Sequence, residues 1–387
     1  MEYPERCLIP FLRSGRSEAG DTFPREIRNE IEGGLGCPYP GELPVYRDSD
    51  RKEWMRAATN AIVQRGRAAS LLIQHHQPEF LFVLFRETDR IEHQHWTELA
   101  RPVGEIPVDL LEFWRAVDAA CRDVDTAFRA AGGPAVTFVL SDHGHGPVRS
   151  DFLTNRWLEQ EKYLVFREGE GLTGRDLFAR ALLFSQRFAL GRRLAKPVAD
   201  FLRTQRTESI SRLVSGPTSF EEMAGRIDWT KTVAFSYPIP EGIYLNAQNP
   251  DLTPERRSEV LRELRARLEG YPEAKIEVFD PREIYQGRNL ERAPALLIRV
   301  DGMTTEPWMD FRYPAPLIRD RPEFFYGSGT HRMDGILIAA GDGIRSGATA
   351  GPLNLLDVAP TILEGMGLEP PAEMSGRSFG ARLGLGA

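Results

Sequence analysis

Residues 80–93 read FLFVLFRETDRIEH, and residues 136–146 read VTFVLSDHGHG. Each stretch opens on an unbroken apolar run and passes directly into carboxylates and imidazoles. Phe80 to Phe85 and Val136 to Leu140 have the usual strand length of about 5–6 residues. A continuous apolar run of that length, without polar alternation, is the pattern of a strand buried on both faces. A third run, Gly335 to Ala340 in GTHRMDGILIAA (residues 329–340), repeats the pattern, with its histidine just ahead of it. Helical periodicity surrounds these runs. Asp50 to Gln74 reads as one long helix before the first. Val108 to Ala131 reads as a helix stopped by Gly132 and Gly133, and Leu355 to Met366 as a helix stopped by Gly367. Strands alternating with helices predict an α/β fold: a layered, mostly parallel sheet with helices on both faces.

The chain has 387 residues, 41% of them hydrophobic and 27% charged, which is a globular composition long enough for one large domain or two ordinary ones. Its net charge of -7 excludes a nucleic-acid binder that works through bulk positive charge. Cys7, Cys37 and Cys121 are the only cysteines, with no CxxC spacing, so neither a disulfide framework nor a thiolate zinc knuckle is expected. No run approaches the length of a membrane-spanning helix, and residues 1–16 hold no apolar core of a signal peptide. A cytoplasmic setting is the default expectation. Short strand-like pieces (TVAFSY, GIYLN, KIEVF, ALLIRV) follow a basic stretch from Arg175 to Arg212 that reads as the solvated face of cap helices. The predicted organisation is a core of residues 1–164, a cap or insertion subdomain over 165–300, and the rest of the core over 301–387.

Asp89 and His93 are four residues apart, so a helical turn starting after the first run puts both on one face. Asp142 and His143 are adjacent, with glycines behind them to allow a tight turn. His331 precedes the third run. Carboxylate oxygen and imidazole nitrogen together suit a divalent ion such as zinc. In open α/β sheets, ligands bind just beyond the carboxyl ends of the strands. Each fragment alone is an ordinary surface pair or loop; the three in this order point to one metal-holding crevice. His95 and His145, two residues past these positions, read as lining the site. His75 and His76 read as loop histidines. Glu92 and Asp334 are candidates to steady a metal-bound imidazole, and Arg90 and Arg332 to contact substrate or to pair within the fold.

The order ETDRxxH, SDHGxGP, GxHRxDGIxIAAGxGI, DVAPTIL and MxGR resembles the type I phosphodiesterase/nucleotide pyrophosphatase branch of the alkaline-phosphatase superfamily. The resemblance runs from Asp89 to Arg377. It implies an alkaline-phosphatase-like fold and metal-dependent hydrolysis of a small-molecule phosphate or sulfate ester through two divalent ions, usually zinc. It implies Asp89, His93 and His331 as ligands of one ion, and Asp142 and His143 as ligands of the other. It also implies an upstream strand ending in a further aspartate ligand, with a Thr or Ser nucleophile soon after.

Before Phe80 no such strand followed by Asp is found. Residues 1–12 (MEYPERCLIPFL) resemble an interior family stretch that follows the nucleophile region. The expectation is a chain without the nucleophile segment, with one ion site incomplete, completed by a missing N-terminal segment or an oligomer partner. Thr88 and Thr330 sit beside ligands, but no motif marks either as a nucleophile. The alternatives are a non-catalytic metal-binding remnant or interaction module and, last, a phosphomutase or phosphotransferase.

Overall fold

The computed structural model describes residues 22–24, 26–41, 43–44, 46, 50–167, 224–237, 239–309, 317–320 and 327–385. The basic stretch from Arg175 to Arg212 and residues 1–12 lie outside the described residues. The chain divides into two compact units, Met1–His145 with His331–Ala387, and Gly146–Thr330. The subdomain expected over 165–300 falls within the residue range of the second unit and is retained as a proposal.

In chain order the first unit begins with α1 (Glu26–Leu35), α2 (Arg51–His76), α3 (Glu87–Leu99), α4 (Val108–Ala130), β1 (Val136–Leu140) and the start of β2 (Gly144–Pro147). The second unit holds β3 (Ser150–Leu153), α5 (Thr154–Gln160), β4 (Ala234–Phe235), β5 (Gly242–Leu245), α6 (Pro254–Glu269), β6 (Ile276–Phe279), α7 (Pro281–Ile284), β7 (Leu296–Val300), β8 (Thr305–Trp308) and β9 (Ile318–Asp320). The chain returns through β10 (Gly329–Arg332) to β11 (Leu337–Gly341), α8 (Val358–Gly365) and α9 (Gly380–Leu383). The α/β class expected from the sequence is the class observed, with sheets of mixed direction.

In the first unit α2 and α4 form the helical core. Trp54, Met55, Ala58 and Ile62 of α2 recur at helical spacing and bury against Leu110, Phe113 and Ala120 of α4 and Ile91 of α3. Gly66 permits the closest approach: a Cβ there would come within 2.9 Å of the Ala120 Cβ. Each fully buried Ile, Leu or Phe contributes roughly 1.5–3 kcal/mol. Arg65 of α2, buried, donates to both carboxylate oxygens of Glu87 at 2.9–3.0 Å and so fixes the first residue of α3. The second unit is built on a seven-stranded sheet in the order β4-β5-β7-β8-β3-β9, with β6 also pairing β7. β3 and β8 run parallel and the other registered pairs antiparallel. Leu296, Ile298 and Val300 alternate into its core, where Val260, Leu264 and Leu268, four apart on α6, share the same cluster. Thr253 caps α6, accepting from the Arg256 amide, with Pro254 at the first helical position.

The strands read from the three apolar runs need correction in detail. β1 and β11 form where expected, but they pair with each other antiparallel, from Val136 opposite Gly341 to Leu140 opposite Leu337. Phe80 to Phe85 belongs to no strand among the described residues, with Phe82 69% exposed. Its apolar run predicts burial on both faces. A strand also needs a partner ladder, and none of the described residues supplies one.

Candidate functional site

α3 starts directly after the first apolar run, and its first turns carry the chemistry. Asp89, Glu92 and His93 occupy positions i, i+3 and i+4, which is one helical face. His93 Nε2 lies 3.3 Å from Asp89 Oδ1. His331 is delivered by β10 and His145 by β2, and these strands pair with each other. His331 Nε2 lies 3.4 Å from the same Asp89 oxygen and 3.0 Å from His93 Nε2. His145 Nε2 lies 3.5 Å from it. Three imidazole nitrogens thus surround one carboxylate oxygen, all farther away than a well-formed hydrogen bond.

Burial tends to raise the Asp89 pKa, but the His331 and His93 ring nitrogens and the nearby His145 outweigh it and hold the carboxylate well below its usual range. Asp89 Oδ1 and His145 Nε2 are both buried with no hydrogen-bond partner. A buried oxygen and a buried ring nitrogen 3.5 Å apart, neither with a hydrogen-bond partner, are the donor types that suit a cation. Asp89, His143, His145 and His331 each offer an atom within 4.8 Å of all the others.

The tetrahedron expected for zinc tests the fit. Bonds of about 2.0–2.1 Å to nitrogen and oxygen place ligand atoms about 3.3–3.4 Å from one another. The distances around Asp89 Oδ1 fall at that edge length within a few tenths of an ångström. The residues present fit a divalent ion.

Of the five ligands expected, Asp89, His93 and His331 are brought together. His143 is close by, with its ring 3.9 Å from the His331 ring. Asp142 is not gathered in: its side chain is 76% exposed, and its Oδ1 lies 3.5 Å from the neighbouring His143 Nε2. Gly144 is required at this turn, because a Cβ there would collide with the carbonyl oxygen of Asp334. Thr88 turns its hydroxyl back on the chain, donating to the Phe85 carbonyl at 2.8 Å. The Arg332 guanidinium donates to the His331 carbonyl at 2.8 Å, and burial pushes its pKa down.

His95 does not line the site. Its Nδ1 faces Glu98 at 2.8 Å, and the ring lies edge-on to Tyr46 and Trp54. Burial, then Arg51, lower its pKa. His75 and His76 close α2 and hold Glu30 between them. His145 is the residue that sequence reasoning undervalued, and the signal was available. Two residues along a helix turns a side chain away, whereas two residues along an extended chain returns it to the same side. That separates His95 from His93 but joins His145 to His143.

A model of the type I phosphodiesterase / nucleotide pyrophosphatase family matches residues 12–305, which include Asp89, His93, Asp142, His143 and His145 but not His331. No curated protein and no solved structure matches the chain.

Proposed function

The chain belongs to the type I phosphodiesterase / nucleotide pyrophosphatase family, and from that premise we propose that it is a metal-dependent hydrolase of phosphate esters. Phosphodiesters and nucleotide pyrophosphates are the proposed substrates. The observation that carries this reading is the convergence of His93, His145 and His331 on one oxygen of Asp89. Asp89, His93 and His331 are the proposed ligands of one ion, zinc by donor type. His143 and Asp142 are the residues proposed for a second. A bound divalent ion supplies a Lewis acid that polarises a phosphoryl oxygen and acidifies a nucleophilic hydroxyl or water.

The chain's own contribution is positional. Arg65 and Glu87 anchor the start of α3, so Asp89 and His93 are presented from a helix rather than a loop. No described helix is long and apolar enough to cross a membrane.

A second reading, a metal-holding module without turnover, is favoured by one observation. His145 offers a further ring nitrogen where a catalytic ion normally keeps a position open. Zinc content and hydrolysis of bis-p-nitrophenyl phosphate, measured on the wild type and on His331→Ala, separate the two. Turnover that the substitution abolishes supports the hydrolase. Bound zinc with no turnover selects the second reading, and no bound metal refutes both.

A further inference from the structure

Glu92 and His145 make a pair that lies outside the expected ligand set. The His145 side chain is only 2% exposed. Its Nδ1 lies 2.8 Å from a Glu92 carboxylate oxygen. A carboxylate accepts only, so in this contact Nδ1 carries the proton and donates it. The neutral ring then has its lone pair on Nε2. That nitrogen is the one found buried and without a hydrogen-bond partner, 3.5 Å from the equally unpartnered Asp89 oxygen. The Trp96 ring stacks over His145 at 6.3 Å, and His93 meets its edge at 4.8 Å, so the imidazole is held on several sides.

Two buried lone-pair atoms 3.5 Å apart repel, and a cation between them turns repulsion into coordination. Binding a metal-ligating histidine through its other ring nitrogen to a carboxylate fixes the tautomer and raises ligand basicity. We propose that His145 is a protein ligand of the ion held by Asp89, His93 and His331, and that Glu92 is the positioning residue that presents His145 Nε2 to it. This inference rests on the metal-binding reading above. It makes the resting site one of four protein ligands, three imidazoles and a carboxylate. Asp89, Glu92 and His93 lie on one face of α3, so a single helix supplies two ligands and the support of a third.

The test uses the full chain and zinc or cobalt(II) alone. Zinc affinity is measured by competition with a chromophoric chelator, and coordination by the visible spectrum of the cobalt(II) form. His145→Leu keeps an apolar side chain of similar bulk in the buried position and removes the ring nitrogens. It is expected to weaken zinc binding at least tenfold and to shift the cobalt(II) bands. Glu92→Ala is expected to weaken binding by about 10–100-fold. Glu92→Gln retains an oxygen that accepts from Nδ1–H, so its loss is expected to be smaller than that of Glu92→Ala. Circular dichroism of each variant checks that it folds.

If His145→Leu and Glu92→Ala both fold and bind zinc as the wild type does, with unchanged cobalt(II) spectra, the inference is overturned and the pair is only structural. If Glu92→Gln loses as much as Glu92→Ala, the orienting role fails even if His145 is a ligand. Absence of zinc binding by the wild type removes the underlying metal reading instead.

Discussion

Replacing Glu87 with Gln removes the charge that answers Arg65 while nearly keeping the volume. Both side chains are buried, at 8% and 4% exposure, and three nitrogen–oxygen contacts of 2.9–3.0 Å join them. Water cannot take over from the lost carboxylate. The guanidinium keeps the Tyr39 hydroxyl at 3.0 Å but loses the opposing charge. Breaking a buried pair by deleting one partner costs about 3–5 kcal/mol. The retained amide oxygen still accepts one hydrogen bond, worth about 1.5–3 kcal/mol to a charged donor. The net expectation, taken from the middle of each range, is a loss of about 2 kcal/mol. Because Glu87 is the first residue of α3 and Asp89 lies two residues on, zinc affinity is expected to fall in the same variant. The assay is urea denaturation read by hydrogen exchange of α2 and α3 peptides, with zinc affinity measured in parallel. Arg65→Met combined with Glu87→Leu is expected to recover much of the loss, since apolar groups leave no buried charge uncompensated. A loss under about 1 kcal/mol for Glu87→Gln alone, well below the buried-pair range, would show that the contact is not what anchors α3.

Three further outcomes are expected. Arg51 binds Asp109 through two hydrogen bonds and holds its pKa below the ordinary 3.8 against the opposing effect of burial. The stabilisation is therefore complete above that value and disappears as pH falls through the lowered one. Asp109→Asn should cost about 1 kcal/mol at neutral pH, given that both side chains are about a third exposed, and should match the wild type in acid melts well below pH 3. Gly144→Ala drives a methyl group into the Asp334 carbonyl between His143 and His145; a destabilisation of about 1–3 kcal/mol and weaker zinc binding are expected, and a variant matching the wild type in melting temperature and zinc affinity contradicts the turn's role. Leu264→Ala removes a fully buried side chain of α6 and should cost about 2–5 kcal/mol, read as faster exchange in the β6 and β7 peptides of the second unit.

How much was legible differs residue by residue. The helices over residues 51–76 and 108–130 could be read from periodicity and from Gly132 and Gly133, because helices close hydrogen bonds over four residues and need no distant partner. Asp89 and His93 were paired for the same reason. Strand partners were not legible in the same way. VTFVL and the run before Gly341 are strands, but an apolar run does not encode whether its neighbour runs parallel or antiparallel, and Phe80 to Phe85 shows the same composition without any ladder.

The sequence by itself determined the family, the α/β class and the donor types, since these rest on local spacing and residue chemistry. Only the tertiary structure decided that His331 meets Asp89 and His93, that His95 turns to Glu98 instead, and that Glu92 meets His145. Those outcomes depend on where β2 and β10 bring residues some 240 positions distant from α3 in the case of His331, to within 3.4 Å of Asp89. Chain spacing carries no information about such a meeting, because it is set by strand pairing and by the helix that the Arg65–Glu87 pair holds in place.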